Sequence, residues 1–562
     1  MTVDGALLLP AAVTWPLMLA ILCLLPRFGS RMILALPLAP IPALAAAFLA
    51  PRDAVFALPW LFLDSGLQLD ESSRVFVAGS AFLWLAAGVY AARYLMADGR
   101  AASFSLFWNV VFAGNIGVYL AADVVSFYVA FALVSLMAYP LVIHDRKEAS
   151  LRAGAVYIML AVLGEVALFA AFVLGASAAG GSLMIDDIVA ALGQPVADPL
   201  VLGLLIIGFG IKAGLMPLHV WLPLAHPAAP VPASAVLSGA IVKAGVFGLA
   251  VFLPWGSAWP TIGAVLALLG FGGLFVAALL GVAQHSAKTV LAYSTVSQMG
   301  LVMGVAGAAL ADGVPAGAVV PAIALFALHH GLTKSALFLG VGLAQAWGGA
   351  TRWLLLLALG ALALSLAGLP FTSGALAKAA IKAPAGSAGA LLITLSAATS
   401  ALVLTRFLFT LPSADAGRRP PTLLLLAGGV LAAAALSAPW LFGIPVPSIV
   451  PGTVDALRDV LIDAWPLGLG LVLAATGAAL GLQAPMLPEG DLLSPLRRLA
   501  MRVRAMLGAA LVASKSPAVD SNVSLPMAAN ANLRKIEAMF ADHTATAVAV
   551  AIIGAALLIA LD

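Results

Sequence analysis

The sequence predicts an all-α polytopic membrane protein with about sixteen transmembrane helices. Of its 562 residues, 63% are hydrophobic and only 9% are charged, and the mean hydropathy is +1.12. Soluble proteins carry about 25% charged residues, so the composition excludes a soluble globular chain. Alanine, leucine and glycine dominate, and no strand-like alternation of apolar and polar residues recurs. The spans are therefore predicted to be helices rather than the strands of a barrel.

Several function classes are excluded by composition and by missing motifs. The net charge of +3 is too small to indicate a nucleic-acid partner. Cys23 is the only cysteine, which excludes a disulfide framework and an iron–sulfur or zinc site built on thiolates. The sequence contains no HExxH motif, P-loop or glycine-rich nucleotide fingerprint, so we predict no cofactor and no metal site.

The apolar runs define the predicted spans, counted as stretches of about 18–25 residues. No basic region precedes the first run, so we expect a span there rather than a cleaved signal peptide. The predicted spans are 8–25, 32–50, 75–95, 104–122, 124–143, 154–176, 199–222, 231–253, 260–282, 289–308, 318–343, 354–380, 387–411, 422–442, 465–483 and 543–561.

Loop charges alternate along these spans. Segments after odd-numbered spans carry mostly cations: Arg27, Arg31, Arg93, Arg100, Arg146, Lys147, Arg152, Lys288, Arg352, Arg418 and Arg419. Segments after even-numbered spans carry mostly acids: Asp53, Asp64, Asp70, Glu71, Asp123, Asp186, Asp187, Asp198, Asp312, Asp455, Asp459 and Asp463. The exceptions are Arg52, Arg74, Lys382 and Arg458. By the positive-inside rule the odd-numbered loops are cytoplasmic, which predicts that the N-terminus lies outside. We expect the membrane to be a bacterial inner membrane.

The C-terminal tail contains a predicted amphipathic helix at 491–515. Its cations lie among leucines and methionines and are Arg497, Arg498, Arg502 and Arg504. Such a helix lies along a membrane surface. Two roles fit it: a juxtamembrane anchor, and a strut that contacts a neighbouring subunit.

A few ionisable residues lie in the middle of predicted spans, where a cation is disfavoured by roughly 2.5–3.5 kcal/mol. They are Glu165, Lys212, Lys243, His329, His330, Lys334 and Lys378, with His219 in the proline-rich segment after Lys212. Each has a plain structural alternative, because a lysine can pair with an acid for packing and a histidine can be hydrogen-bonded in the core. The number and type of these groups instead predict a proton relay.

Two predicted spans are interrupted by glycine and proline. The seventh breaks at 214–217, which ends in Pro217, and the twelfth at 368–370, which contains Gly368 and Pro370. Proline removes a backbone donor, and irregular backbone at membrane depth is tolerated only where it is buried or lines a wet cavity. Broken spans five apart predict two inverted five-helix repeats. The predicted regions are 1–103 with spans one to three, 104–253 and 254–411 with the two repeats, and 412–562 with the remaining helices.

The segment 210–249, GIKAGLMPLHVWLPLAHPAAPVPASAVLSGAIVKAGVFGL, resembles the signature of the antiporter-like membrane subunits. These subunits occur in respiratory complex I, in Mrp-type cation/proton antiporters and in membrane-bound group 4 NiFe hydrogenases such as formate hydrogenlyase. Supporting stretches are QHSAKTVLAYSTVSQMG at 284–300, HHGLTKSALFLGVG at 329–342 and LSLAGLPFTSGALAK at 364–378. The likeness covers roughly 65–410, and HPAAP favours the hydrogenase and Mrp branches.

The resemblance implies inverted five-helix repeats and a central polar axis along which protons move. Lys212 matches the lysine of the broken seventh span, and Lys243 matches the lysine of the eighth. His330 and Lys334 match the central histidine and lysine of the second repeat. Lys378 matches a residue of the twelfth span that is lysine in some members and glutamate in others.

One departure from the family concerns the acid that usually pairs with the span-seven lysine. The family carries this glutamate in the fifth span, in a stretch like FWEL, whereas FYVAFALVSL at 127–136 places Ala132 there. Glu165, one span later, is the predicted substitute. The alternative is an impaired first half-channel.

Three functions therefore follow from the sequence. The leading one is a proton-translocating, non-redox subunit of an oxidoreductase complex of the quinone oxidoreductase or hydrogenase type. The second is an Mrp-type Na⁺/H⁺ antiporter subunit, and the third is a structural subunit whose relay has degenerated. The predicted partners are antiporter-like and small transmembrane subunits, a peripheral redox arm, the lipid bilayer, and H⁺ or Na⁺.

Overall fold

Membrane helices make up most of the part of the chain that the structure describes. The computed structural model describes residues 5–25, 27–59, 65–415, 419–441, 463–481 and 487. Within them, eleven helices are long and apolar enough to cross a membrane, and four shorter apolar helices accompany them. The predicted all-α polytopic fold is confirmed. The last predicted span, 543–561, and the amphipathic helix predicted at 491–515 lie outside the described residues.

The N-terminal region contains helices that match the first three predicted spans. They are a 3₁₀ turn Gly5–Leu7 leading into α1 (Leu8–Cys23), a 3₁₀ helix Gly29–Leu38 leading into α2 (Ile41–Leu49), and α3 (Glu71–Tyr94). The second passage is divided because Pro37 and Pro40 lack the backbone donors of a continuous α-helix. A capping box between Asp70 and Ser73 begins α3.

A β-hairpin that the sequence did not predict joins α2 to α3. β1 (Ala54–Leu58) and β2 (Ser65–Leu69) pair antiparallel, with Ala54 opposite Leu69. The carboxylate of Asp123 accepts hydrogen bonds from the Gly66 N–H at 3.0 Å and the Ser65 hydroxyl at 3.3 Å. This contact attaches the hairpin to the start of the helix Val124–Met137, which Asp123 caps.

The remaining helices follow the predicted spans in order. The first predicted repeat contains α4 (Ala101–Leu120), α5 (Val124–Met137), α6 (Tyr139–Val142), α7 (Glu148–Ala178), α8 (Ile185–Leu192), α9 (Pro199–Ala213), α10 (Trp221–Ala228), α11 (Val231–Val236), a π-helical turn Leu237–Ile241 and α12 (Val242–Phe252). The second contains α13 (Pro260–Val282), α14 (Ala287–Asp312), α15 (Ala316–Ala346), α16 (Arg352–Ala367), α17 (Ser373–Lys382), a 3₁₀ turn Ala383–Ala385 and α18 (Gly386–Phe409). After them come α19 (Thr422–Leu441) and α20 (Trp465–Ala479).

The two helix interruptions lie where glycine and proline indicated them, and they share one backbone design. Gly214 ends α9 with φ of 86°, and Gly368 ends α16 with φ of 98°, conformations that favour glycine. The N–H after each glycine bonds a carbonyl of the preceding helix, Leu215 to Gly210 at 2.8 Å and Leu369 to Leu364 at 2.9 Å. Both helices therefore stop inside the helical layer and leave carbonyl groups for side-chain donors.

The interior of the fold lies around α11–α12 and α14, whose residues are the most buried, and α15 packs against them. Small residues bring the helices close together. A Cβ on Gly270 in α13 would lie 2.2 Å from the backbone nitrogen of Gly304 in α14, so glycine is required for this approach. Membrane helices pack through small residues because lipid provides no hydrophobic driving force between them. This packing leaves polar side chains enclosed between the central helices.

Candidate functional site

The ionisable residues predicted inside the membrane are all buried between helices. Relative exposure is 5% for Lys212, 2% for Lys243, 0% for Lys334 and 6% for Lys378, and Glu165 is 5% exposed. Burying such groups is unfavourable unless they are paired, hydrogen-bonded or neutral. Their individual contacts therefore decide what they can do.

Lys212 is bound by α5, the helix that lacks the expected acid. Its ammonium donates to the hydroxyl of Ser135 at 3.1 Å. The rings of Phe131 and Tyr157 lie 5.8 Å and 5.9 Å from the Lys212 nitrogen, within the range of cation–π attraction. Tyr157 in turn donates to the Ser135 carbonyl at 2.7 Å, which fixes this part of α5.

Glu165 lies beside the Lys212 site without a direct ion pair. Its charge is close enough to act on that of Lys212, and Ser135 lies near both side chains. Neither carboxylate oxygen has a hydrogen-bond partner among the described residues. Glu165, Ser135 and Lys212 therefore belong to one cluster of polar side chains between α7, α5 and α9.

Lys243 lies at a local change of helix type. The π-helical turn Leu237–Ile241 precedes it, and its ammonium donates to the Ser238 carbonyl, five residues back, at 2.8 Å. A π-turn removes the ordinary i→i+4 pairing and frees such carbonyls, and these turns are frequent at functional sites. The same turn meets α15 at Gly239, where a Cβ would lie 2.9 Å from the Gly331 carbonyl. Lys243 is thereby placed against α15.

The contact between Lys243 and His330 joins the two predicted repeats. The Lys243 ammonium nitrogen lies 2.5 Å from His330 Nδ1, a short hydrogen-bonded distance. Lys334 follows one helical turn after His330 and donates to the Leu291 carbonyl at 3.0 Å. Lys243 and Lys334 are close enough for their like charges to oppose each other. A proton on one group therefore disfavours a proton on the other.

Hydroxyl and amide groups extend from this centre along α14 and α18. Thr295 and Ser238 share a hydrogen bond of 2.8 Å, and the Gln298 amide donates to the Ser400 hydroxyl at 3.1 Å. Ser396 lies one helical turn before Ser400. These polar residues were not predicted, because serine and threonine occur throughout the apolar spans and carry no distinctive spacing.

Lys378 lies at the second helix interruption. Its ammonium donates to the Ala367 carbonyl at 2.9 Å and to the Ser396 hydroxyl at 3.3 Å. Ala367 is the last residue of α16, so Lys378 satisfies a carbonyl that the interruption leaves free. The lysine thus reaches back across the break toward the polar groups of α18.

The neighbouring histidines of α15 have different partners. His330 faces Lys243, whereas His329 Nδ1 lies 3.1 Å from the Ser373 hydroxyl at the start of α17. Ser373 also contacts the hydroxyl of Ser365, near the end of α16, at 3.2 Å. His329 therefore belongs to the second interruption and His330 to the contact between the repeats.

Two further histidines are buried in the segment after Lys212. Both ring nitrogens of His219 and of His226 have no hydrogen-bond partner in the described part of the chain. The His226 ring stacks on Phe338 of α15 with 4.5 Å between ring centroids. The sequence analysis chose His219, whose ring centroid lies 6.2 Å from that of Tyr293 in α14, whereas His226 is the histidine that contacts α15.

A small cavity adjoins Lys243 on the side of α3 and α4. It measures about 20 Å³, and its lining includes Lys243, Ser80 and Tyr119. A cavity of that size holds about one water molecule. Asn115 links the polar groups, because it accepts from the Ser80 hydroxyl at 2.5 Å and donates to Tyr119 at 3.2 Å. In the described residues no three His, Cys, Asp or Glu side chains cluster as a metal ion would require.

The fold and the buried residues define a helical membrane protein with a row of protonatable groups between two interrupted helices. The family model for "NADH:quinone oxidoreductase/Mrp antiporter, TM" matches residues 121–405. The chain belongs to this family. The resemblance identified from the sequence motifs is confirmed.

The curated relatives come from more than one kind of complex. Hydrogenase-4 component B of Escherichia coli (strain K12) is 35% identical over 305 residues, which are 51% of this chain and 44% of that protein. A protein described as antiporter subunit mnhA2 of Staphylococcus aureus (strain MRSA252) is 29% identical over 356 residues, 57% of this chain and 44% of that protein. The chain spans less than half the length of these relatives.

Two solved structures share the fold. A chain in the Mrp complex from Dietzia sp. DQ12-45-1b superposes with a TM-score of 0.69 at 22% identity, covering 93% of this chain and 64% of that chain. A chain in the membrane-bound sulfane sulfur reductase, an archaeal respiratory membrane complex, gives a TM-score of 0.67 at 18% identity, covering 82% and 99%. At these identities the likeness establishes the fold alone.

Proposed function

We propose that this chain is a proton-translocating, antiporter-like subunit of a multi-subunit membrane complex. The observation that carries the proposal is the 2.5 Å contact between Lys243 and His330, which joins buried protonatable groups of the two halves. Lys212 and Lys378 extend the row on either side. The chain itself holds the proton path, and a redox reaction or ion gradient in other subunits supplies the energy.

The proton pathway we propose begins at Lys212 and ends at Lys378. Glu165 takes the place of the acid missing at Ala132, because its charge acts on Lys212 across Ser135. From Lys243 the proton passes to His330 and Lys334, and the hydroxyl and amide groups of α14 and α18 lead on to Lys378. His329 and His219 are side branches of this row. Neighbouring lysines do not readily hold protons at the same time, because their like charges repel, so protonation of one favours release of a proton from the other.

The organisation we propose places one half-channel in each repeat, 104–253 and 254–411, related by inversion. Their interrupted helices end at Gly214 and Gly368 with matching backbone hydrogen bonds, which supports this arrangement. The loop charges support a bacterial inner membrane with the N-terminus outside. Proposed partners are other antiporter-like and small transmembrane subunits and a peripheral redox arm.

Substitution of Lys212 tests the proposal. The chain is expressed with its neighbouring subunits, and the complex is purified and reconstituted into vesicles that contain a pH-sensitive dye. Lys212→Ala is expected to abolish proton movement while the subunits still co-purify. Lys147→Ala is the control, because Lys147 is exposed in a loop. Normal proton movement with Lys212→Ala would contradict the assignment.

An Mrp-type Na⁺/H⁺ antiporter subunit is the second candidate function. The similarity to mnhA2 and the fold shared with a chain of the Mrp complex favour it. The two candidates differ in whether proton flux requires Na⁺ on the opposite side. Flux that follows an imposed Na⁺ gradient without any redox substrate would support the antiporter, and flux that needs a redox substrate would support the first proposal.

A further inference from the structure

An ion pair lies at the end of the polar row, beyond Lys378. Lys382, the last residue of α17, contacts Asp463, which lies two residues before α20 begins at Trp465. The distance from Lys382 Nζ to Asp463 Oδ2 is 2.6 Å. The Lys382 side chain is 21% exposed and that of Asp463 is 57% exposed, so the lysine is mostly buried and the carboxylate faces solvent.

Lys382 lies next to Lys378, the last residue of the proposed pathway, on the same helix. The two lysines are four residues apart in α17, which places them one above the other on the same helix face. The charge of Lys382 opposes a positive charge on Lys378. The lysines therefore form two steps from a buried site to a partly exposed one.

Packing holds Asp463 at this end of the molecule. Its helix, α20, approaches α18 so closely that a Cβ on Gly470 would lie 2.4 Å from the Ala398 carbonyl. The same α18 carries Ser396, which accepts a hydrogen bond from Lys378. Asp463 also lies at the N-terminal end of α20, where a carboxylate is favoured by the helix dipole. The position of the carboxylate is thus fixed relative to Lys378.

The predicted topology assigns this pair to one side of the membrane. Asp463 lies in a segment after an even-numbered span, which the loop charges predict to be outside. Lys382 was an exception to the charge pattern, and its contact with Asp463 accounts for it. A carboxylate that is more than half exposed can exchange protons with the outside solution.

We propose that the Lys382–Asp463 pair is the exit of the relay, with Asp463 as the proton acceptor for Lys378. This inference rests on the proposed function. A proton leaves the Lys378 ammonium, moves through solvent at the helix ends to the Asp463 carboxylate, and is then released to the outside solution. In the net step one N–H bond breaks at Lys378 and one O–H bond forms at Asp463, while each water on the way gains one proton and gives up another.

The charge of Lys382 links the protonation of Asp463 to that of Lys378. While Asp463 is ionised, it balances the charge of Lys382, and Lys378 can hold a proton. Once Asp463 accepts the proton, the charge of Lys382 is no longer balanced and disfavours a proton on Lys378. Return of the proton is therefore opposed until Asp463 has released it.

The alternative is that the pair only ties α17 to α20. Exposed ion pairs usually contribute little to stability, so a purely structural pair would tolerate substitution well. A structural pair would also tolerate exchange of its two partners, whereas an exit would not. The exchanged pair would place a carboxylate next to Lys378, where it would retain the proton.

Proton flux in vesicles that contain the whole complex tests the proposal. Asp463→Asn is expected to lower the flux about a hundredfold, the smaller end of what a positioned proton-transfer group contributes, and Asp463→Glu to restore it. Glu71→Gln is the matched control, because Glu71 is an exposed carboxylate paired with Arg52 at 3.7 Å on the same predicted side. Normal flux with Asp463→Asn would overturn the proposal.

The exchanged pair, Lys382→Asp with Asp463→Lys, separates the exit from a structural tie. It is expected to preserve co-purification of the subunits while flux stays low. Full flux in this double variant would overturn the exit. If Lys212→Ala abolishes flux but Asp463→Asn does not, the proposed function stands and the exit is wrong. If the wild-type complex moves no protons under redox turnover or an imposed gradient, both are wrong.

Discussion

At the Lys212 site, the glutamate expected in α5 is absent, and a serine of the same helix contacts the lysine instead. Ser135 lies one helical turn after Ala132 in α5, and its hydroxyl takes the ammonium at 3.1 Å. A serine supplies a hydrogen bond but no countercharge, so the balancing charge has to come from another helix. Glu165 in α7 is the acid whose charge acts on Lys212. In the function we propose, Ser135 and Glu165 together take the role that one glutamate of α5 would have.

The first prediction concerns this division of roles. Glu165→Gln removes the countercharge while keeping the shape of the side chain, and we expect a lower proton flux without loss of assembly. Adding Ala132→Glu to that variant is expected to recover flux, because the new carboxylate would lie one turn from Ser135. Flux is measured in vesicles containing the complex. Unchanged flux with Glu165→Gln would show that Lys212 works without this acid.

The second prediction concerns a pair outside the membrane spans. Burial raises the pKa of Asp98, but hydrogen bonds from the Arg100 backbone N–H at 2.7 Å and from His144 at 3.3 Å outweigh it and leave the pKa lowered. A lowered carboxyl pKa stabilises the fold above the ordinary value of 3.8, and this stabilisation is lost as the pH falls through the folded-state value.

Asp98→Asn is therefore expected to lower the thermal stability of the purified protein at neutral pH and to have a shrinking effect in acid. Thermal unfolding at several pH values measures this. The control is Asp187→Asn. Asp187 lies in the short helix α8, and its described hydrogen bond comes from the Ser182 hydroxyl rather than from a histidine. A difference between Asp98→Asn and wild type that stays constant down to acid pH would contradict the prediction.

At the scale of elements, the π-helical turn is what positions Lys243. It frees the Ser238 carbonyl for the Lys243 ammonium and brings Gly239 against Gly331 of α15. Nothing in the local sequence LSGAI distinguishes a π-turn from an ordinary helix, because the turn depends on neighbouring helices that supply donors to its freed carbonyls. The Tyr119 hydroxyl, for example, donates to the Ala240 carbonyl at 3.3 Å.

The third prediction tests this contact between helices. Gly239→Ala would place a Cβ 2.0 Å from the Ser335 hydroxyl and 2.9 Å from the Gly331 carbonyl, so the backbones must separate. We expect a loss of about 1–3 kcal/mol of stability, typical of overpacking, together with lower proton flux. Gly272→Ala is the control, because a Cβ there would meet nothing within 4 Å. Equal stability of the two variants would contradict the prediction.

At the scale of the whole molecule, the sequence predicted the apolar helices and their interruptions but not the contacts between them. Long apolar runs and Gly–Pro pairs act locally, and the first fifteen predicted spans coincide with helices or helix pairs. The hairpin was missed because each strand has only five residues. Arg74 contradicted the charge pattern because it donates to carbonyls at the end of α2, including that of Ala47 at 2.8 Å.

The buried lysines could be predicted because a cation in an apolar run is conspicuous, whereas their partners could not. Ser135, Ser396 and the Ser238 carbonyl are ordinary groups that become significant only when distant helices meet. The same holds for the contact from Lys243 to His330, residues 87 positions apart in the chain. Such pairings depend on tertiary packing, which a single sequence does not specify.

The fourth prediction follows from the link between the two halves. His330→Ala removes the partner of Lys243 and should interrupt proton transfer from one half to the other, with at least about a hundredfold loss of flux. His285→Ala is the control, because His285 is exposed on the surface. Flux in vesicles and co-purification of the subunits are measured for both. Retained flux with His330→Ala would mean that protons cross between the halves elsewhere.

The adjacent histidines of α15 have a mechanical consequence. Neighbouring residues in an α-helix point about 100° apart, so His330 and His329 reach α12 and α17 from one rigid cylinder. Rotation of α15 about its axis would swing both imidazoles in the same sense, and would therefore change both contacts together. A single helix thus carries the contact to Lys243 on one face and the contact to Ser373 on another.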